Sequence, residues 1–495
     1  MKKIISIALL LIASLVFIND HAGAYTFLDN KLEIYGEIET ELDIRTKQDA
    51  RDVRYSSLRV KWRPELRYKI FEDQCSLLNF YFNGNYFWDF GLNINGDLRD
   101  AVRLYAGQDH FKDYRRPLNP NSVIKDMYLN YKFEEFQFRV GKQLVSWGET
   151  ASARVADIIN PMDYTYYTNN PVWDEYKIGL WMARLFYTPK DMWQDLSFEM
   201  VLIPFEFMPE KSQVQGVSPF NFTNNNVQQL IYNKRLRDAP DWSIDNFEVG
   251  ARVRGFWRGL GTGVDWTLSN FYSRQDIGLI KSQEAYNEYT WLFLLKIPPK
   301  NKIFRYPFYN ATAFTWSTTI PGPDITIGGE SSYKSNQMFA YGPTANTSYI
   351  NKRKGLLDNA LKISRNFYIP GFSDNVHLGN SSEPLYAELT TYYSKLLNMD
   401  HNSKTGDQIW WTSSNGSHSS KTNFTLVLMT NLYNGKLTPF FLNTYDVQGF
   451  TTQNYALSYQ PNYHWSWMMY YMQFSRLGIV KYQNQVGLIM KYAYF

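Results

Sequence analysis

Apolar and charged residues alternate along the first part of the chain with a period of two. From Leu32 to Ile44 one phase carries Leu32, Ile34, Gly36, Ile38, Thr40, Leu42 and Ile44. The other carries Glu33, Tyr35, Glu37, Glu39, Glu41 and Asp43. A period of two over this length predicts a strand with one apolar and one acidic face. From Leu58 to Ile70 the pattern returns with the opposite charge. Leu58, Val60, Trp62, Pro64, Leu66, Tyr68 and Ile70 share one face, and Arg59, Lys61, Arg63, Glu65, Arg67 and Lys69 share the other. A register that sets odd against odd brings Asp43, Glu41 and Glu39 near Arg59, Lys61 and Arg63. Opposite charges across an antiparallel ladder contribute a few tenths to about 1 kcal/mol each.

The alternation continues. Leu78, Phe80, Phe82, Gly84, Tyr86 and Trp88 line one face of a third strand, and Met127, Leu129, Tyr131 and Phe133 one face of a fourth. A tight Glu134-Glu135 turn leads into a fifth, from Phe136 to Val145. Later strands are expected at 178–188, 194–204, 245–257 and 262–274, and then at 384–396, 423–433, 437–447, 453–460, 463–475 and 484–495. Short connections, such as Glu72–Cys75, Arg258–Gly261 and Asn434-Gly435-Lys436, alternate with long polar ones at 90–122, 148–177, 205–242 and 397–422. The region 275–365 reads either as one large loop or as a loop hiding a strand pair.

Strands with one apolar and one charged face, joined alternately by short and long connections, fit an all-β transmembrane antiparallel β-barrel of about 16 strands (range 14–18). Short periplasmic turns and long extracellular loops follow, and open strand edges are forbidden in lipid. Composition agrees. Mean hydropathy is −0.41 while aromatics make up 17% of the chain, as two aromatic girdles around a wet lumen require. The ends fit too. Met1-Lys2-Lys3, an apolar Ile4–Ile18 and Ala22-Gly23-Ala24 form a signal peptide expected to be cleaved after residue 24, leaving 25–495 as a single barrel domain. The last strand puts Val486, Leu488, Met490, Tyr492 and Tyr494 on one face and the terminal Phe495 on the other. A terminal aromatic of this kind is what barrel-assembly machinery recognises. Together these features place the chain in the outer membrane of a Gram-negative bacterium, against lipid and lipopolysaccharide. The net charge of +4 is too balanced for a nucleic-acid partner. The single Cys75 excludes an intrachain disulfide and is expected to be buried or incidental.

Arg139-Val140-Gly141-Lys142-Gln143-Leu144-Val145-Ser146-Trp147-Gly148-Glu149 is followed by Asp157-Ile158-Ile159-Asn160-Pro161-Met162-Asp163. This R-x-G-[KR]-Q-x-x-x-W-G-E … N-P-x-D arrangement resembles domain-of-unknown-function family 1302, a group of Gram-negative outer-membrane proteins viewed as porin-like. The resemblance implies a barrel, and its transported molecules, with hydrophobic compounds among those suspected, are poorly defined. Arg139 and Gln143 fall on the inward phase of their strand. Trp147 stands where an interface aromatic belongs, and Gly148 beside it permits a bend. Glu149, Arg154, Asp157 and Asp163 either fold inward to line a constriction or simply hold the loop's own shape around an Asn160-Pro161 turn.

Chemistry is sparse. Of the histidines beyond the signal, His110, His377, His401, His418 and His464, none has ligand spacing. Gly259-Leu260-Gly261-Thr262-Gly263 lacks the Lys and helix of a phosphate loop. No cofactor, metal or catalytic residue is expected, and the chain does not read as an enzyme. Trp410-Trp411 either reach the girdle or stack on a ligand. The inward residues Glu37, Glu39, Glu41, Asp43, Arg59, Lys61, Arg63, Arg67, Arg139 and Gln143 are candidates to line a lumen and set its selectivity. Facing charge rows set a transverse field or, alternatively, weld the hairpin. The reading is a channel for small solutes or hydrophobic compounds, open to homo-oligomerisation. Its rivals are a loop-plugged barrel that binds a ligand or serves a periplasmic or inner-membrane export partner, and an outer-membrane hydrolase.

Overall fold

The structure, a computed structural model, describes residues 25–45, 55–94, 123–150, 154–164, 173–190, 195–211, 236–295, 301–341, 350–369, 384–398, 419–447, 451–475 and 484–494. Among them eighteen strands form one closed antiparallel barrel. These are β1 (Leu32–Arg45), β2 (Tyr55–Glu72), β3 (Ser76–Gly84, resumed at Tyr86–Asp89), β4 (Ile124–Phe133), β5 (Phe136–Gln143) and β6 (Leu180–Tyr187). Next come β7 (Ser197–Ile203), β8 (Glu248–Trp257), β9 (Val264–Arg274), β10 (Phe308–Ile320), β11 (Ile325–Tyr341) and β12 (Ile350–Phe367). The ring finishes with β13 (Leu385–Leu396), β14 (Ser420–Met429), β15 (Leu437–Asp446), β16 (Thr451–Tyr459), β17 (Trp465–Ser475) and β18 (Gln485–Tyr494). Each strand pairs with its chain neighbour. β1 closes the ring on β18, from Gly36 opposite Tyr494 to Arg45 opposite Gln485.

The expected count of about 16 becomes eighteen because 275–365 holds three strands, β10 to β12, after a loop carrying the helix Gln283–Leu295. The loop and the strand readings of that region therefore both apply, to different parts of it. Residues 1–24, with the expected signal peptide, lie outside the described residues, as do Phe495, His110, His377, His401, His418, Trp410 and Trp411. Cys75 is exposed, at the turn between β2 and β3.

The polarity of the wall is inverted relative to a water-soluble protein. Outward positions are large and apolar: Leu129, Phe138, Val140, Leu268, Phe314, Leu361, Leu389, Leu457 and Met469 are all exposed. Inward positions are polar yet buried: Glu39, Glu41, Arg59, Glu199, Thr267, Thr315, Ser332, Asp358, Thr390 and Thr452. Only a hydrocarbon solvent outside and a polar interior satisfy both faces. No described helix is long and apolar enough to cross a membrane.

The outward face makes a direct prediction. Leu268 sits mid-strand in β9 and is lipid-facing, so Leu268→Arg should cost about 2–4 kcal/mol of barrel stability in vesicles. Denaturant unfolding of the refolded variant measures this; an unchanged midpoint would mean that position 268 does not face lipid.

Candidate functional site: the lumen wall and an inward loop

Two polar systems occupy the barrel interior. The first is the charge ladder of β1 and β2. The register sets Glu37 opposite Arg63, Glu39 opposite Lys61 and Glu41 opposite Arg59, two residues away from the pairing expected from the sequence, which survives as the diagonals. Lys61 Nζ lies 2.6 Å from Glu39 and 3.2 Å from Glu41. Arg59 lies 2.9 Å from Glu41 and 3.3 Å from Asp43, and Arg63 pairs with Glu37 and with Glu39. The ladder extends sideways in both directions. Lys491 of β18 reaches Glu39 at 2.9 Å, and Glu175, on the short helix Trp173–Tyr176, reaches Arg63 at 3.0 Å and Lys61 at 3.6 Å.

These contacts separate the candidate lumen residues. Glu39, Glu41, Asp43 and Arg59 are buried in mutual pairs, Arg59 at 3% exposure. Arg67 is different. Its side chain is 59% exposed, with Glu65 at 3.4 Å and its guanidinium over the rings of Tyr35 and Tyr81. Gln143 is buried in the wall, donating to the carbonyl of Met182 at 3.1 Å.

The second system is formed by residues 144–150 and 154–164. It leaves β5 and, instead of running outward, turns across the lumen. Asn160 fixes its base: Oδ1 accepts from the Val145 N–H at 2.7 Å, while Nδ2 donates to the carbonyls of Gln143 (3.1 Å) and Ile178 (2.8 Å). The Pro161 carbonyl accepts from Ile178 N–H at 2.8 Å, and Asp163 pairs with Lys211 at 2.8 Å. Asp157 pairs with Lys177 at 2.7 Å, and Arg154 donates to the Asn160 carbonyl at 2.9 Å.

Trp147 is inside, at 1% exposure, not in the lipid interface where its position after the strand suggests. Its Nε1–H donates to Glu199 at 3.2 Å, its ring meets Phe271 edge-on at 6.2 Å, and Arg252 lies over it at 5.5 Å. Beyond Gly148 the loop reaches the far wall. Glu330 of β11, itself buried, accepts backbone N–H bonds from Glu149, from Thr150 at 2.5 Å and from Ala156 at 3.1 Å. Gly148 admits this approach, because a Cβ there would lie 3.3 Å from the Glu330 carboxylate and 3.1 Å from Asp157 Cβ. Val155 packs on Ala360 of β12, with Tyr392 of β13 alongside. The loop is thus a chord from β5 to β11–β13. Of the constriction candidates, Arg154, Asp157 and Asp163 are engaged in holding its base, and Glu149 is exposed, with its backbone N–H bound to the Glu330 anchor. Glu330 is the functional position sequence reading misses, since only its distance of 181 residues from Glu149 would have to be guessed.

Above the wall, segments 204–211, 236–247 and 275–307 share an apolar core of Phe207, Leu236, Ile280, Tyr289, Phe304 and Tyr306. Glu210 lies in this loop layer, where burial pushes its carboxyl up to about 7 against the pull of the Arg154 guanidinium. Burial and the nearby Glu210 hold the Asp276 carboxyl well above the usual carboxylate range, opposed by Arg154 and Lys334. His464, at the β16–β17 turn, places Nδ1 2.9 Å from the Ala493 carbonyl.

A closed eighteen-strand barrel with an apolar outer surface, a polar interior and a loop folded across it is a Gram-negative outer-membrane protein of porin-like architecture. The chain belongs to the family described as protein of unknown function (DUF1302), whose pattern matches residues 49–468. No curated protein matches it by sequence. Among solved structures it is similar to Acinetobacter baumannii OccAB4, at 9% identity over 94% of this chain and 98% of that one, TM-score 0.47. It is also similar to Acinetobacter baumannii OccAB1, at 8% identity over 96% and 99%, TM-score 0.47. A third is Salmonella typhi OmpF in complex with daunomycin, at 10% identity over 95% and 100%, TM-score 0.43.

Two outcomes follow from this geometry. Arg59→Ala leaves Glu41 and Asp43 buried without their shared cation, which should cost about 3–5 kcal/mol; the temperature at which heat-modifiable migration is lost reports it, and no change would mean the ladder is not a weld. For Glu210 the folded value lies above the unfolded one, so the folded protein binds the extra proton and stability falls as pH rises toward about 7. Loop packing should therefore be tighter at pH 5 than at pH 8. Limited proteolysis at the two values checks this, and Glu210→Gln should shrink the difference, leaving the part that Asp276 contributes.

Proposed function

We propose that this protein is a passive, weakly selective outer-membrane channel for small solutes, narrowed by the segment 144–164. The observation that carries the reading is the Glu330 carboxylate collecting three backbone N–H groups of a loop that arrives from the other side of the ring. A loop fixed at both ends inside a polar lumen restricts a path without being needed to close the barrel. Removing that acceptor leaves three N–H donors unsatisfied at a buried site, each worth about 1–3 kcal/mol, and frees the chord to swing.

The loop layer supports the rival in which the barrel is plugged and binds a ligand or works with a partner, because it has an apolar core built from loop residues and is hydrogen-bonded to the wall at Met338 and Asn351. A hydrolase gains no comparable support from the described residues.

Single-channel recording of the purified, folded protein separates these. The channel reading expects stable ohmic steps, and Glu330→Ala should raise unitary conductance severalfold with added current noise. Silence from folded protein would sink the channel and favour the plugged barrel. Equal conductance in Glu330→Ala would show that the chord does not set the path's width.

A further inference from the structure

The inner wall carries an arginine that has no carboxylate in ion-pair contact among the described residues. Arg139 of β5 and Arg184 of β6 stand directly opposite each other in the ladder. Like charges so placed repel across a Cβ separation of about 5 Å, so each needs its own counter-ion. Arg184 has one: Nε and an NH2 group donate to Glu199 at 2.8 and 2.6 Å. The second oxygen of Glu199 is taken by Arg252 at 2.5 Å and by Trp147 at 3.2 Å, so this carboxylate acts on Arg139 from a distance, without a hydrogen bond to it. Asp126, further along β4, accepts the Leu144 N–H at 2.9 Å. Arg139 is held only through Nε, which donates to Asn130 at 3.2 Å. Its terminal nitrogens meet no carboxylate among the described residues.

The same guanidinium lies over two rings, Tyr128 at 4.8 Å and Phe186 at 5.4 Å. Gly141 makes room for this arrangement. It stands opposite Tyr128 with φ +140, and a Cβ there would fall 2.7 Å from Tyr128 Cα. The aromatic surface continues sideways, Tyr128 to Tyr81 at 5.1 Å between centroids, and Arg67 lies over Tyr81. An arginine with a free fork, gripped by rings on a wet wall, offers a carboxylate two parallel N–H bonds and offers the attached ring an apolar flank.

We propose that Arg139, flanked by Tyr128 and Phe186, is a binding subsite for planar aromatic carboxylates on the lumen wall. The proposal rests on the reading of the lumen as a solute path, and names a substrate class for it. It assigns the first residue of the R-x-G-K-Q motif to ligand binding and the glycine to making room for it.

Calorimetric titration of the purified, folded protein with benzoate tests it, with benzyl alcohol and acetate as controls that lack the charge or the ring. Saturable benzoate binding is expected, with weaker acetate and no benzyl alcohol binding. Arg139→Gln should weaken benzoate about ten- to a hundredfold, the worth of a charge-assisted pair. Arg139→Lys should fall between, and Phe186→Leu should reduce the preference for benzoate over acetate. Arg139→Gln removes the repulsion with Arg184 and should resist heat at least as well as the parent, which keeps the comparison valid. Benzoate binding equal in Arg139→Gln and the parent, or no saturable binding at all, would overturn the proposal. Binding is read without current, so the two failures are separable: binding in a silent barrel sinks the channel and keeps the subsite, and current without binding does the reverse.

Discussion

Hydrocarbon offers backbone N–H and C=O groups no partner, and everything else in this chain depends on that. Each unpaired group would cost several kcal/mol, so the sheet must close, and it does so through the ten-residue pairing of β1 with β18. Closure determines the distribution of side chains. The outward row is mainly apolar, and several of the polar residues on it satisfy one another. Asn270 donates to Asn310 at 2.7 Å and to Thr312 at 2.9 Å, and Ser331 donates to Asn359 at 2.8 Å. The inward row is then free to be charged.

Inside, charge is used for two purposes, and the partner tells them apart. Where carboxylates and cations interleave, as along β1 and β2, they neutralise each other and hold strands together. Where a carboxylate faces backbone N–H groups, as at Glu330, it holds a loop in place without a counter-charge, much as an N-cap holds a helix end. The two systems meet on the loop's return, where Glu175 joins the ladder just before β6 begins. The chord is therefore tethered to the wall at both ends of its path.

Alternation made most of the barrel readable in the sequence, and its lapses explain what was not. β11 and β12 break their outward rows with Gly329, Ser331 and Asn359, and β10 with Asn310 and Thr312, so a period-two reading hesitates there. The ladder's residues were legible as two facing charge rows, but register was not, because the connecting segment is too long to dictate it. The motif residues were legible as a group; their roles depended on contacts with strands far away in the chain. Trp147 shows this most plainly: nothing local distinguishes an interface aromatic from one turned inward onto Phe271 and Glu199.

The ladder also straddles the seam. Glu39 lies between Lys61, synthesised soon after it, and Lys491, which arrives only with the final strand; Asp43 likewise waits for the hydroxyl of Tyr470. The acidic face of β1 thus takes three cations from β2 and its other strand-borne contacts, Lys491 and the Tyr470 hydroxyl, from β18 and β17. Without the hairpin of β17 and β18, β1 would keep an open edge and its carboxylates would lack the Lys491 and Tyr470 contacts. The seam is in this sense closed by charge as well as by backbone hydrogen bonds, its lateral contacts to β1 supplied by β17 and β18.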